Sequence, residues 1–198
     1  MVTQLLAVVL LALSTPALAG GFSVRSAYTS SYGPDAYGLV HVGAQAGPDL
    51  EVGALWVGGN QPALLASAAR TLRLHDLLVV RGELLLGMLR REGPSGGFEL
   101  GARLDAHALT VVVEGGLLAG LGSFAEAGVD TTLAEGWVFQ PRLRVETWAG
   151  DRDPALRVGL GLRRETASGW WVEVAGSAGG RDVLHMGPGL VLALGRSR

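Results

Sequence analysis

Residues 156–178 read LRVGLGLRRETASGWWVEVAGSA, two alternating runs separated by Thr166-Ala167-Ser168-Gly169. In the first run Leu156, Val158, Leu160 and Leu162 share one parity, and Arg157, Gly159, Gly161 and Arg163 share the other. In the second, Trp170, Val172 and Val174 alternate with Trp171, Glu173, Ala175 and Ser177. A strand sends successive side chains to opposite faces, so each run has one apolar face and one that is small or charged. The stretch predicts a β-hairpin. The glycines beside Arg157 and Arg163 leave room for long side chains to lie across a confined interior, although glycine in a strand also marks bulges and bends.

Such a hairpin fits a soluble sandwich as well as a membrane barrel, because both bury one face and wet the other. The same alternation recurs along the whole chain. Phe22–Ser31, Tyr37–Ala46 and Leu50–Trp56 are three strands, separated by Tyr32-Gly33-Pro34-Asp35 and Gly47-Pro48-Asp49. Pro62–Leu74 admits a helix, with Asn60 as cap and proline in the first turn, but Leu72 and Leu74 alternate with Thr71 and Arg73 and favour a strand. After a reversal at His75-Asp76, Leu77–Arg90 sets Val80, Leu84, Leu86 and Met88 against Arg81, Glu83 and Gly87, and Glu92–Gly97 reads as a loop. Phe98–Leu104, Leu109–Leu121, Ala127–Leu133 and Val138–Trp148 continue the pattern. The hairpin follows; then Gly179–Pro188 reads as the longest loop and Leu190–Leu194 as the closing strand.

This predicts an all-β chain: a single antiparallel transmembrane β-barrel of about twelve strands, or ten if Pro62–Leu74 is helical. Twelve is an even number, as a closed antiparallel barrel with both termini at one rim requires. Connections after odd strands are mostly longer than those after even strands, which gives one rim of loops and one of tight turns.

Met1–Ala19, MVTQLLAVVLLALSTPALA, has an apolar core from Leu5 to Leu13, Pro16, and small residues at Ala17 and Ala19. It predicts a cleaved secretory signal, leaving residues 20–198 as the barrel. The apolar core is shorter than the ~18 residues of a spanning helix. No mature segment reaches that length either, so only a barrel could cross a membrane. There is no cysteine, which removes disulfides and thiolate metal sites. All 16 cationic side chains are arginine, the net charge is −2, and no basic stripe points to nucleic acid.

The aromatics choose between sandwich and barrel. Trp56, Phe98, Phe124, Trp137, Phe139, Trp170 and Trp171 fall near strand ends, and Tyr28, Tyr32 and Tyr37 cluster about the first loop. Membrane barrels carry aromatic girdles at these levels, whereas a sandwich buries its aromatics mid-strand. With the signal and the alternation, this placement makes the mature region resemble the small outer-membrane β-barrel proteins of Gram-negative bacteria. The resemblance rests on no family-specific motif. It implies an outer-membrane location, lipid around the barrel, and a passive channel or structural barrel that passes small solutes or ions. A departure is the C-terminal Leu194-Gly195-Arg196-Ser197-Arg198, which lacks the terminal aromatic usual in such chains.

The expected lumen-lining set is Arg81, Glu83, Glu99, Arg103, Glu114, Glu126, Asp130, Arg142, Arg144, Glu146, Arg157, Arg163 and Glu173. If residues 149–154 connect two strands, Glu146 lies nearly opposite Arg157, within reach of a cross-strand ion pair. Mixed charge suits either a salt-bridged plug or a charged pore lining. A non-conducting scaffold subunit of an envelope complex is the alternative. A rim hydrolase would draw on His185, Asp182, Asp151 and Asp153, but acids and a histidine in loops read as ordinary solvated residues. His41 and His107 read as lumen or turn residues. No nucleophile, metal site or cofactor loop emerges, so the chain reads as a non-enzyme without cofactors.

Overall fold

The computed structural model describes residues 21–29, 37–59, 62–90, 93–148, 154–180 and 186–196. They form twelve strands: β1 (Phe22–Thr29), β2 (Tyr37–Gln45), β3 (Leu50–Val57), β4 (Ala63–His75), β5 (Leu78–Leu89), β6 (Gly93–Ala106), β7 (Leu109–Leu118), β8 (Gly122–Ala134), β9 (Trp137–Trp148), β10 (Ala155–Glu165), β11 (Trp170–Gly180) and β12 (Met186–Arg196). Each pairs antiparallel with its sequence neighbours, and β1 pairs with β12, so the sheet closes on itself. Closure removes the unpaired edges that an open sheet would present to lipid. No helix occurs among the described residues. The signal expected over Met1–Ala19 lies outside them.

The alternation of the sequence becomes the inside and outside of this barrel. Leu64, Leu84, Leu86, Leu143, Val158, Leu160, Val172 and Leu192 are exposed, Leu86 by 70%. A water-soluble protein does not carry so many large apolar side chains in one continuous exposed band, whereas a lipid-facing wall requires it. All strands but β1 and β3, which have 8 residues, run to 9–14, long enough to span a bilayer core at the usual tilt.

The connections after odd strands lie at one rim; the turns after even strands, the start of β1 and the end of β12 lie at the other. The latter are tight. His107-Ala108 and Glu135-Gly136 turn with His107 at φ 59° and Gly136 at φ 72°, the left-handed conformation that two-residue hairpins need. The Thr166–Gly169 turn is closed by the Thr166 amide donating to the Trp170 carbonyl and the Gly169 amide donating to that of Thr166.

Several boundaries differ from the sequence expectation. Pro62–Leu74 holds a strand, and twelve rather than ten strands result. The expected loop at Glu92–Gly97 is mostly strand, because Gly93–Gly97 pairs with Leu85–Leu89. A β-carbon on Gly97 would strike the backbone of Leu117 and Leu118, so this glycine permits close strand approach instead of breaking the strand. The loop expected over Gly179–Pro188 is shortened at both ends, since β11 runs to Gly180 and β12 begins at Met186.

The aromatic girdle is partial. Phe98, Trp137 and Trp170 are exposed on the outer face. Phe124 and Trp171 instead have the inward parity: each lies beneath an arginine, Arg144 4.1 Å and Arg163 4.7 Å from the respective ring centre. Position near a strand end does not determine parity, and an inward arginine gains from an aromatic face. The side chains of Tyr28, Tyr32 and Tyr37 lie outside the description.

Candidate functional site: the barrel interior

The side chains on the parity opposite the exposed leucines meet one another across and along the strands. On β8, β9 and β10 they form a continuous chain of alternating charge. Arg142 pairs with Asp130 and lies 3.5 Å from Glu126; Arg144 Nη1 lies 3.7 Å from Glu126 and its Nε 3.0 Å from Glu146; Arg157 Nε lies 2.7 Å from Glu146. Gln140 donates to Asp130, and Arg157 Nη1 donates to the Gly187 carbonyl of β12. Three acids and three arginines thus neutralise one another along this wall. Its loop-side end is dry: Glu146 is 3% and Arg157 6% exposed.

Glu146 pairs with Arg157 across the strands, as the sequence suggested, from a position two residues out of register. Arg157 faces Arg144 in register, and Glu146 faces Ala155. The ion pair is therefore diagonal, a reach that long side chains make easily.

A second polar group lies on the other side of the barrel, on β1 to β5. Buried Glu83 accepts from Arg81 at 2.7 Å, and Arg81 reaches Glu51 at 3.4 Å. Ser23 Oγ also donates to Glu51. His41 Nε2 stands 3.2 Å from Ser67 Oγ and 3.3 Å from Glu83 Oε1. Hydroxyl and carboxylate thus meet the same ring nitrogen. A hydrolytic relay needs them on different nitrogens, so that the acid orients the base while the base faces the nucleophile.

The remaining expected residues are dispersed. Glu99 faces Glu83 and Gly116 in register, and Glu114 faces Gly101 and Glu126. Neither Glu99 nor Glu114 forms an ion pair among the described residues. Arg103 is exposed near the turn rim and pairs with Asp105, which accepts a hydrogen bond from Thr110. Arg163 pairs with Glu165 rather than with Glu173, its register neighbour. The rim residues Asp151, Asp153, Asp182 and His185 lie outside the described residues. Among the described residues no group of acids and histidines could hold a metal ion.

Sequence reasoning missed an apolar element of the interior. Leu55, Val57, Ala63, Leu65, Leu85, Leu89 and Leu121 form a buried cluster, with Leu39 and Leu118 packed against it. Register places Leu55 beside Leu65 and Leu85 beside Ser67, on the inward parity at the loop-side half of β3 to β5. The available signal was Leu84-Leu85-Leu86: an apolar residue on both parities means that both faces are apolar there.

No protein-family profile and no curated protein matches the chain. Solved structures do. The KdgM porin aligns with a TM-score of 0.65 at 9% identity, over 89% of this chain and 99% of that one. The NanC porin aligns with a TM-score of 0.63 at 12% identity, over 89% and 100%. A KdgM structure in complex with disordered oligogalacturonate aligns with a TM-score of 0.63 at 9% identity, over 89% and 99%. At such identities the likeness is one of fold: the chain has the barrel fold of small outer-membrane porins.

Proposed function

We propose that this chain is a small passive channel of the outer membrane, delivered there by a secretory leader at residues 1–19 and folded as a barrel over residues 20–198. Lipid surrounds the leucine face, and the charged parity lines a lumen crossed by small solutes. The observation that carries the reading is the chain of six charges from Asp130 to Arg157 on the inner side of a barrel whose outer side is leucine. A lipid-facing barrel keeps polar side chains for its interior, where charge suits a pore lining. Fold alone does not fix function, but likeness to two porins favours a channel over a catalyst.

A second reading, a non-conducting structural barrel that scaffolds an envelope complex, is favoured by the burial of Glu146 and Arg157. Reconstitution of the refolded protein into liposomes and planar bilayers separates the two. A channel admits small solutes or carries current above the lipid background; a structural barrel does neither.

A further inference from the structure

Charge in the middle of the lumen is not all neutralised. Arg25, at mid-strand on β1, shares the inward parity of Ser23, whose hydroxyl reaches Glu51, and faces His41 and Ala193 in register. It is exposed, so water reaches it, and it forms no ion pair among the described residues. Glu173, two strands away on the same side, does not pair with it. β7 lies six strands from β1 in either direction around the ring of twelve, and so on the opposite wall. There Glu114 is half-buried and faces Glu126 in register, while Glu99, half-buried on β6, faces Glu83. Arginines already hold Glu83 and Glu126, but neither Glu99 nor Glu114 has an ion pair among the described residues. Arg25 interacts electrostatically with Glu126 across the interior, so the lone cation and the acid wall share a level.

We propose that Arg25, opposed by Glu99 and Glu114, is the specificity-determining residue of the channel, and that the field between them favours small zwitterionic solutes over uncharged ones of the same size. The inference rests on the channel reading. A solute in a narrow lumen loses part of its hydration, and only contacts made there offset the loss. A zwitterion can turn its carboxylate toward Arg25 and its ammonium toward Glu99 and Glu114, so both ends are stabilised at once. An uncharged isomer has a smaller dipole and gains little. Charges that face one another across a low-dielectric cleft act more strongly than the same charges on an open surface.

The test is liposome swelling with β-alanine and its uncharged isomer lactamide, on the full mature chain, with the rates of protein-free liposomes subtracted. Wild type is expected to admit β-alanine faster than lactamide by roughly fivefold, the upper end of what a solvated pair of charges is worth. Arg25→Gln should bring the two rates together, and so should Glu99→Gln combined with Glu114→Gln, because either change removes one pole of the field. In a KCl gradient the same variants should shift the reversal potential in opposite directions, the first toward potassium and the second toward chloride; a role in net charge alone would move only this second readout. Arg25→Lys, which keeps the charge, should keep the preference for β-alanine. Equal rates in wild type, or a preference retained in both folded glutamine variants, overturn the role of Arg25 and leave the channel standing. No entry of either solute above the protein-free background overturns the channel reading itself, and the inference with it.

Discussion

Arg157 faces Arg144 directly across the β9–β10 pair, and one carboxylate, Glu146, holds both: Oε1 accepts from Arg157 at 2.7 Å and Oε2 from Arg144 at 3.0 Å. Like charges in facing positions repel, so Glu146 is the residue that makes this register tolerable. Its burial makes it hard to replace, because water cannot take over its role.

Glu146→Gln should therefore destabilise the folded barrel by about 3–5 kcal/mol, the cost of stranding a buried charge. Glu165→Gln, which breaks the more exposed pair with Arg163, should cost no more than ~1 kcal/mol. Urea unfolding in liposomes compares the two. Equal losses would mean that Glu146 is wet.

Leu160 and Leu192 are 56% and 49% exposed near the middle of β10 and β12. Leu160→Arg and Leu192→Arg should each cost about 2–4 kcal/mol, as a cation facing the bilayer midplane does. Gly159 is on the other face, where a β-carbon would meet only ordinary contacts at 3.5 Å and beyond, so Gly159→Ser should be milder. The same unfolding measurement checks all three. Equal damage on both faces would contradict a lipid-facing barrel.

The barrel was legible in the sequence because lipid on one side and polar groups on the other impose a period of two on each strand, which needs no tertiary information to read. Arg157, Gly159, Gly161 and Arg163 opposite Leu156, Val158, Leu160 and Leu162 are sufficient for β10. Pairing across strands was less accessible. The Glu146–Arg157 pair was anticipated, but its diagonal geometry depends on a strand register that alternation alone does not set. The buried leucines of β3 to β5 escaped because an inward leucine interrupts no pattern: it lengthens an apolar run. Gly93–Gly97 misled for a different reason, since glycines that usually end a strand here let β6 lie close to its neighbours, Gly96 to β5 and Gly97 to β7.

Glycines in these strands divide by what a β-carbon would meet. On Gly87 it would strike the Leu64 carbonyl and the Leu65 backbone, whereas on Gly176 it would meet nothing within 4 Å. Gly87→Ala should thus force β4 and β5 apart at about 1–3 kcal/mol, the usual cost of overpacking. Gly176→Ala should be neutral or stabilise by up to ~1 kcal/mol, because alanine surrenders less backbone freedom on folding. Reversal of this order would mean that the β4–β5 register is wrong.

Arg144 bridges two carboxylates, Glu126 and Glu146, while Glu99 and Glu114 on the adjoining wall have no ion pair among the described residues. The ladder is neutral only while all three of its arginines are present. Arg144→Gln removes one positive charge and leaves Glu126 sharing Arg142 with Asp130, so the interior gains an uncompensated negative charge beside the unpaired acids. In a KCl gradient the residual current should shift toward potassium, because fixed charge in a confined lumen sets which ion is concentrated there. Glu114→Gln should shift it toward chloride, with little loss of stability since no pair is broken. The reversal potential reads both changes on one scale, and the two substitutions must move it in opposite directions. A shift of the same sign in both would mean that the variants alter pore width rather than charge, and would remove Arg144 and Glu114 from the electrostatics of passage.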